Sequence, residues 1–473
     1  MAAAARRIGR EMTLDLARWQ FAIVTVFHFF FVPMTIGLGA LVAVMQTLAL
    51  VRKDETWDRL SRFFGRIFLI SLAVGVVTGI VLEFQFGLNW SAYSVFVGNI
   101  FGAPLAIEGL LAFFLESTFI GLWVFGRERL SPRLHLATIW MVSVGTILSA
   151  FFILAANAWM QHPVGYTVED GQAVLTDFGA VLGNSTLWAS FVHTVVAAIA
   201  TGGALTLGIS IWRVHRASDD VERDAFRRAA GFTCAVVLVA VILVAVSGDI
   251  QARLMDVQQP MKMAAAEALY NTQNGASFSL LTIGNLSGQP IFQIRVPHLL
   301  SLIADLSWNG QVLGINQMQA VEAAKYGPGN YAPILWLTYW SFRAMVGAGI
   351  LMILLGAWGI WLGWRKRLVQ SRWFVRAALA GIALPIIANA SGWIFTEAGR
   401  QPWIVYGLMQ TAKGVSTVSA ADVGGTTAAF VLVYSILAVI AAVLVVRAAR
   451  HPLDQVVETS GPGEAPAAPG LVY

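Results

Sequence analysis

His28, Glu108, Glu116, His193, Arg343, Met345 and Glu397 stand in, or at the edge of, otherwise apolar stretches. An ionised side chain taken out of water without a partner is strongly destabilised, so such groups are paired, protonated or bound to something. Imidazole, thioether and carboxyl groups set in hydrocarbon are the donor types of a metal-containing cofactor. His193, in SFVHTVV, and Met345, in SFRAMVGAG, sit at similar depth on different helices. Together they can fill both axial positions of one haem iron, which closes that iron to oxygen and suits electron transfer. His28 lies about nine residues into its own run, roughly 14 Å along a helix. Each of these has a plainer use: a hydrogen-bonded histidine in a helix core, or a methionine packing in lipid.

The carboxylates form a second pattern. Glu108 and Glu116 share APLAIEGLLAFFLESTFIG; on an α-helix Glu116 lies about 12 Å further along, turned by roughly 80°. A ladder of protonatable groups is what a proton path needs, and Ser149 and Asn157 can extend it. Interhelical hydrogen bonding accounts for the two neutral residues equally well. Glu397 and Arg400, in GWIFTEAGRQPW, are three apart on a helix and pair, as an ion pair at a site or as a structural cap. In QQPMKMAAAEALY, Lys262 and Glu267 follow Gln259. On a surface loop they are a solvated charge pair; at a quinol site they supply a hydrogen-bond donor and a base.

The elements that must position these residues are membrane helices. The chain has 473 residues, 57% hydrophobic and 12% charged, with mean hydropathy +0.69; a soluble domain is about 25% charged. Apolar runs near the roughly 20 residues that cross a bilayer fall at 19–51, 65–88, 98–126, 134–158, 184–213, 229–250, 335–364, 373–399 and 424–447. The fold expected is an all-α integral membrane protein of nine transmembrane helices. Arg and Lys cluster after the odd-numbered runs, and the loops after the second and fourth carry none. The positive-inside rule then puts the N-terminus outside and the C-terminus in the cytoplasm, against the basic tail of Arg6, Arg7 and Arg10. The net charge of +5 lies in these short loops, which argues against nucleic-acid binding. Cys234 is the single cysteine, so there is no disulfide framework, thiolate cluster or covalent haem attachment. The polar N-terminus does not fit a signal peptide, so the first run is expected to stay as a helix. The long segment between the sixth and seventh runs mixes polar and apolar residues, as a domain resting on the membrane does, and KMAAAEALY suits a short helix. SGPGEAPAAPG reads as a disordered tail.

Seven stretches carry a family resemblance: ARWQFAIVTVFHFFFVPMTIG, LEFQFGLNWSAYSVFVGNIFGAPLAIEGLLAFFLESTFIGLW, ANAWMQHPVG, FVHTV, QQPMKMAAAEA, YWSFRAMVG and GWIFTEAGRQPW. In their joint order and spacing the chain resembles subunit I of cytochrome bd-type quinol oxidases, of the short quinol-loop type. The resemblance implies that His193 and Met345 ligate a low-spin haem b. It gives His28 and Glu397 to a high-spin haem b and to a haem d, or a third haem b, with Glu108 beside that pair as ligand or proton donor. Glu116 becomes the next station of a proton route, with Ser149 and Asn157 near it. Arg18, Trp393 and Arg400 contact haem propionates or edges, Arg343 lies by the low-spin haem, and Gln259, Lys262 and Glu267 match the quinol-binding loop.

The same resemblance divides the chain into a six-helix haem-binding half (1–250), an outer quinol loop (251–334), a three-helix haem-binding half (335–450) and a tail (451–473). It implies a terminal respiratory oxidase in the bacterial cytoplasmic membrane that oxidises quinol at the outer face, reduces dioxygen to water and builds proton motive force without pumping. The partners implied are a second large membrane subunit, a small single-helix subunit, quinol, dioxygen and the lipid bilayer. Two rival classes fit the sequence less well. A proton-coupled transporter predicts repeat symmetry and broken helices, neither of which is visible in the sequence; a non-catalytic scaffold leaves the buried ionisable groups unexplained.

Overall fold

The computed structural model describes residues 2–284 and 290–453, with side chains of the first helix from Gly9 onward. Residues 454–473, most of the expected disordered tail, lie outside the described residues, as do 285–289 and the side chains of Arg6 and Arg7. Among the described residues nine helices are long and apolar enough to cross a membrane. They are Gly9–Arg52, Glu55–Leu88, Ser91–Phe125, Pro132–Gln161, Phe178–Val214, Asp220–Gln258, Leu335–Trp364, Arg372–Gly399 and Ala420–Arg450. Eight of them contain their expected apolar run, the third stops one residue short of its expected end at 126, and most extend beyond the run, because a helix ends where its capping changes rather than where the hydrocarbon stops. Asp54, Ser131, Asp177 and Asp219 cap the N-termini of four of them by accepting a backbone N–H, each worth roughly 1 kcal/mol. The helix of the first span reaches back to Ala2, so the basic tail is helical.

Three spans depart from plain α-helix, the fifth because Phe178–Leu182 stops before Asn184 caps the helix Ser185–Val214. The third contains a π-helical segment at Glu108–Phe113, a wider turn that rotates each residue by less than an α-turn does. That takes back part of the 80° offset expected between Glu108 and Glu116. The eighth is interrupted between Arg372–Ala380 and Ala383–Gly399, which corrects the expectation of unbroken helices. Pro385 accounts for the break: it offers no N–H, and its ring collides with the carbonyl four residues back, at Gly381.

The first and fifth spans touch backbone to backbone. A Cβ on Gly37 would come 2.0 Å from the Ala198 carbonyl oxygen, and one on Gly202 2.5 Å from the Gly37 carbonyl carbon; only glycine permits that approach. At the opposite end of the fifth span Arg213 pairs with Glu222 in a buried contact and donates to the Arg450 carbonyl at 3.0 Å. Fifth, sixth and ninth spans are thereby tied together.

Outside the spans the chain is not purely helical. A hairpin of Tyr166–Glu169 and Gln172–Leu175 follows the fourth span, turning through Asp170 and Gly171 with φ of 48° and 77°, values that a tight two-residue hairpin turn requires. The long loop after the sixth span holds a short helix, Pro260–Ala266, which stops one residue before Glu267. A second hairpin, Phe278–Gly284 with Pro290–Val296, and helices Leu299–Asp305 and Ile315–Tyr326 complete it.

Candidate functional site

A cavity of about 410 Å³ opens among the first, second, third, fourth, fifth and eighth spans. His28, Glu108, Glu116, Ser149, Asn157, Trp393 and Glu397 all line it, as does Glu83. Residues far apart in sequence and singled out for their chemistry thus face one space. His28 Nδ1 lies 2.9 Å from Thr78 Oγ1, whose own hydrogen has backbone acceptors at Val74 and Gly75. With its proton so directed, the hydroxyl accepts from Nδ1–H and leaves His28 Nε2 as a bare lone pair.

The fifth span repeats the device. His193 Nδ1 lies 3.0 Å from Ser247 Oγ, which donates to the Leu243 carbonyl at 2.8 Å. His193 Nε2 is freed in the same way. Glycines face both rings and the Met345 sulfur: a Cβ would come 3.1 Å from His28 Cε1 at Gly79, 3.4 Å from His193 Cε1 at Gly248 and 3.0 Å from Met345 Sδ at Gly392. His193 is held against the sixth span and Met345 against the eighth.

Both oxygens of Glu397 are engaged. Asn157 Nδ2 donates to one at 3.1 Å and Arg400 pairs with the other. Ser149 donates to Glu108 at 2.6 Å. A smaller cavity of about 180 Å³ shares Trp393, Glu397 and Met160 with the first and adds Arg18 and Arg400. Buried N–H groups of both arginines, Nε of Arg18 and Nε and Nη1 of Arg400, have no partner among the described residues. Unpaired guanidinium donors at a cavity wall suit an anionic group such as a propionate carboxylate. Among the described residues no three His, Cys, Asp or Glu side chains gather as a bare ion would need. A porphyrin brings its own equatorial nitrogens and asks the protein for one or two axial donors. The side chains present fit that demand.

In the long loop the expected surface pair does not form. Lys262 and Glu267 are 5% and 1% exposed, and each has a different partner. Lys262 Nζ donates to Gln161 Oε1 at 3.3 Å, and burial pulls its pKa down to about 7. Glu267 meets Arg343 at 2.9 Å and accepts from the Ser279 N–H at 2.8 Å. Burial pushes its carboxyl up against the opposing pull of Arg343. A lysine near neutrality and a carboxyl raised by burial are both suited to exchanging protons at physiological pH. The Arg343 guanidinium lies over the rings of Phe278, Tyr339 and Phe342 at 4.8 to 5.0 Å, with Nε and Nη1 lacking a hydrogen-bond partner among the described residues.

Gln161, not singled out from the sequence, joins the two regions. Its Nε2 donates to Asn157 Oδ1 at 2.8 Å, its side-chain oxygen accepts from Lys262, and its carbonyl accepts from Gln259 at 2.9 Å. A polar file therefore runs from Lys262 through Gln161 and Asn157 to Glu397. Thr78 and Ser247, which set the two imidazoles, also escaped sequence reasoning. A small hydroxyl in an apolar helix carries no signal until its partner is known.

Residues 16–453 match the family described as cytochrome bd terminal oxidase subunit I. The chain is 47% identical over 437 residues to cytochrome bd ubiquinol oxidase subunit 1 of Bacillus subtilis, covering 92% of this chain and 93% of that one. It is 33% identical over 497 residues to cytochrome bd-II ubiquinol oxidase subunit 1 of Escherichia coli, covering 92% and 96%. Its fold superposes on the bd oxidase of Geobacillus thermodenitrificans with a TM-score of 0.84 at 26% identity, covering 93% and 98%. The chain belongs to the cytochrome bd terminal oxidase subunit I family.

Proposed function

We propose that this chain is the haem-bearing subunit of a terminal respiratory oxidase of the bacterial cytoplasmic membrane, coupling oxidation of two quinols to reduction of one dioxygen to two waters. The observation that carries this reading is the pair of joined cavities, with His28, Glu108, Glu116 and Glu397 on one and unpaired Arg18 and Arg400 donors on the other. His193 and Met345 would hold a low-spin haem b. His28 and Glu397, with Glu108 beside them, would hold a high-spin haem b and a haem d or third haem b, and Arg18, Arg400, Trp393 and Arg343 would contact their edges. When bound, these haems supply one-electron transfer and oxygen reduction.

The chain's own groups bind substrate and move protons. Quinol binds under the outer loop (251–334), where Lys262 donates to a ring oxygen, Glu267 takes a hydroxyl proton and Gln259 helps to orient the ring. Glu116 and Glu108, with Ser149 and Asn157, carry protons inward from the cytoplasm. Release on one side and uptake on the other separates charge without a pump. In this arrangement the N-terminus faces outward, the segments 1–250 and 335–450 form the two haem-binding parts, and a second large subunit and a small single-helix subunit complete the oxidase.

Reconstituting the complete oxidase in sealed vesicles tests this. Ubiquinol should drive oxygen uptake with acidification on the quinol side and alkalinisation opposite. Absence of quinol-driven oxygen uptake from a folded complex overturns the reading.

A further inference from the structure

The hairpin Phe278–Gly284 with Pro290–Val296 carries its polarity inside out. Cross-strand partners Leu281 and Ile294, and Ile283 and Phe292, share one face of the ribbon. Ser279 and Thr282 point the other way, bonded to each other at 2.8 Å, and Ser279 reaches Tyr339 Oη at 2.8 Å. These two polar side chains are 0% and 3% exposed, whereas Ile283, Phe292 and Ile294 are 46%, 51% and 44% exposed. A hairpin in water does the reverse: it turns its apolar face to the core and its polar face to solvent. Ile291, unpaired at a register shift in the second strand, is 86% exposed.

Position identifies what meets that surface. Tyr339 lies four residues past Leu335, where the seventh span begins, hence about 6 Å along that helix. The ribbon is therefore bonded to the span at the rim of the bilayer. Trp336 and Trp340, 59% and 42% exposed on the same turns, are the residue type that marks the membrane interface. The strands carry no Asp, Glu or Lys, and their one charge, Arg295, is turned inward to Ser277 and the Glu267 carbonyl. Four side chains on a two-stranded ribbon are far short of the roughly 800 Å² per partner of a stable protein interface.

We propose that the face bearing Leu281, Ile283, Phe292 and Ile294 dips into the bilayer rim and rests on phospholipid acyl chains, as an anchor for the segment that holds Glu267. Ser279 N–H and Arg295 both bond Glu267, so the anchor fixes that residue relative to the membrane surface. This goes beyond the quinol reading, and its test does not depend on turnover.

The test labels Phe292→Cys and, on the opposite face, Gln293→Cys with bimane, each in the complete oxidase with Cys234→Ala, in phosphatidylcholine vesicles. The label at 292 should lose most of its emission when the lipid is brominated in its acyl chains and resist aqueous iodide; the label at 293 gives the iodide-accessible reference. Quenching of the 292 label by iodide places the face in water and overturns the proposal. Resistance to both quenchers places it under a second subunit and overturns it equally. Ile294→Cys reports on the same face if Phe292→Cys does not assemble.

Discussion

The cavity around His28 and the cluster around Glu267 both bury ionisable groups, but they solve the problem differently. Around Glu267 the partners belong to the chain: Arg343, the Ser279 N–H and three aromatic rings close on one another. Around His28 the side chains face open space: Thr78 frees an imidazole nitrogen there, and N–H groups of Arg18 and Arg400 lie at the cavity wall without a partner among the described residues, whereas the unbonded N–H groups of Arg343 lie over aromatic rings. The closed cluster holds a buried carboxyl in place, as the proposed proton exchange by Glu267 needs. The open one is arranged around something that is not polypeptide.

The contrast breaks most severely at Glu397. Glu397→Ala leaves Arg400, 1% exposed, without its counter-charge; losing one member of a fully buried pair costs about 3–5 kcal/mol, and the 26% exposure of Glu397 makes that an upper bound here. The oxidase should lose thermal stability and haem together; a variant with full haem content and an unchanged melting temperature shows the pair to be ornamental. Next in size is Glu267→Gln. It keeps the shape of the closed cluster but cannot take a proton, so quinol oxidation should fall by about 10²-fold or more while the optical spectrum stays intact. A spectrum altered along with activity places Glu267 in the open region instead.

A finer probe removes the hydroxyls that orient the imidazoles. Thr78→Val and Ser247→Ala should each weaken retention of one haem by roughly 10–100-fold, measured as loss during dilution, and each should affect a different spectral band. Loss of the same band from both joins two sites that the account keeps apart. Smallest is Gln161→Leu, which cuts the file between Lys262 and Asn157. A single neutral hydrogen bond contributes about 1 kcal/mol, so the KM for quinol should change by no more than about tenfold with haem content unaffected. A collapse of haem content makes Gln161 part of the open cavity's frame.

Much of this was legible because charge in an apolar run is conspicuous. The nine spans followed from run length, and His28, Glu108, Glu116, Asn157 and Glu397 were marked by polarity before the cavity gathered them. Pairing across the fold was not legible. Lys262 and Glu267, five residues apart, look like partners, yet Glu267 meets Arg343, 76 residues away in sequence. Local spacing does not report tertiary contacts. The break in the eighth span was readable in principle from Pro385, whereas the π-turn at Glu108–Phe113 has no comparable mark. Polar residues that act by orienting a neighbour, as Thr78, Ser247 and Gln161 do, look like any other small or amide side chain.

The central claim of the proposed function is that His28 and Glu397 at the open cavity, and His193 and Met345 outside its lining, hold iron porphyrins. Quantifying porphyrin and iron extracted from the purified, folded oxidase tests it most directly, with His28→Ala and His193→Ala run alongside. The account predicts iron and porphyrin in equal amounts, with each histidine variant lacking a different share. A folded complex free of both, or histidine variants with undiminished haem, contradicts it.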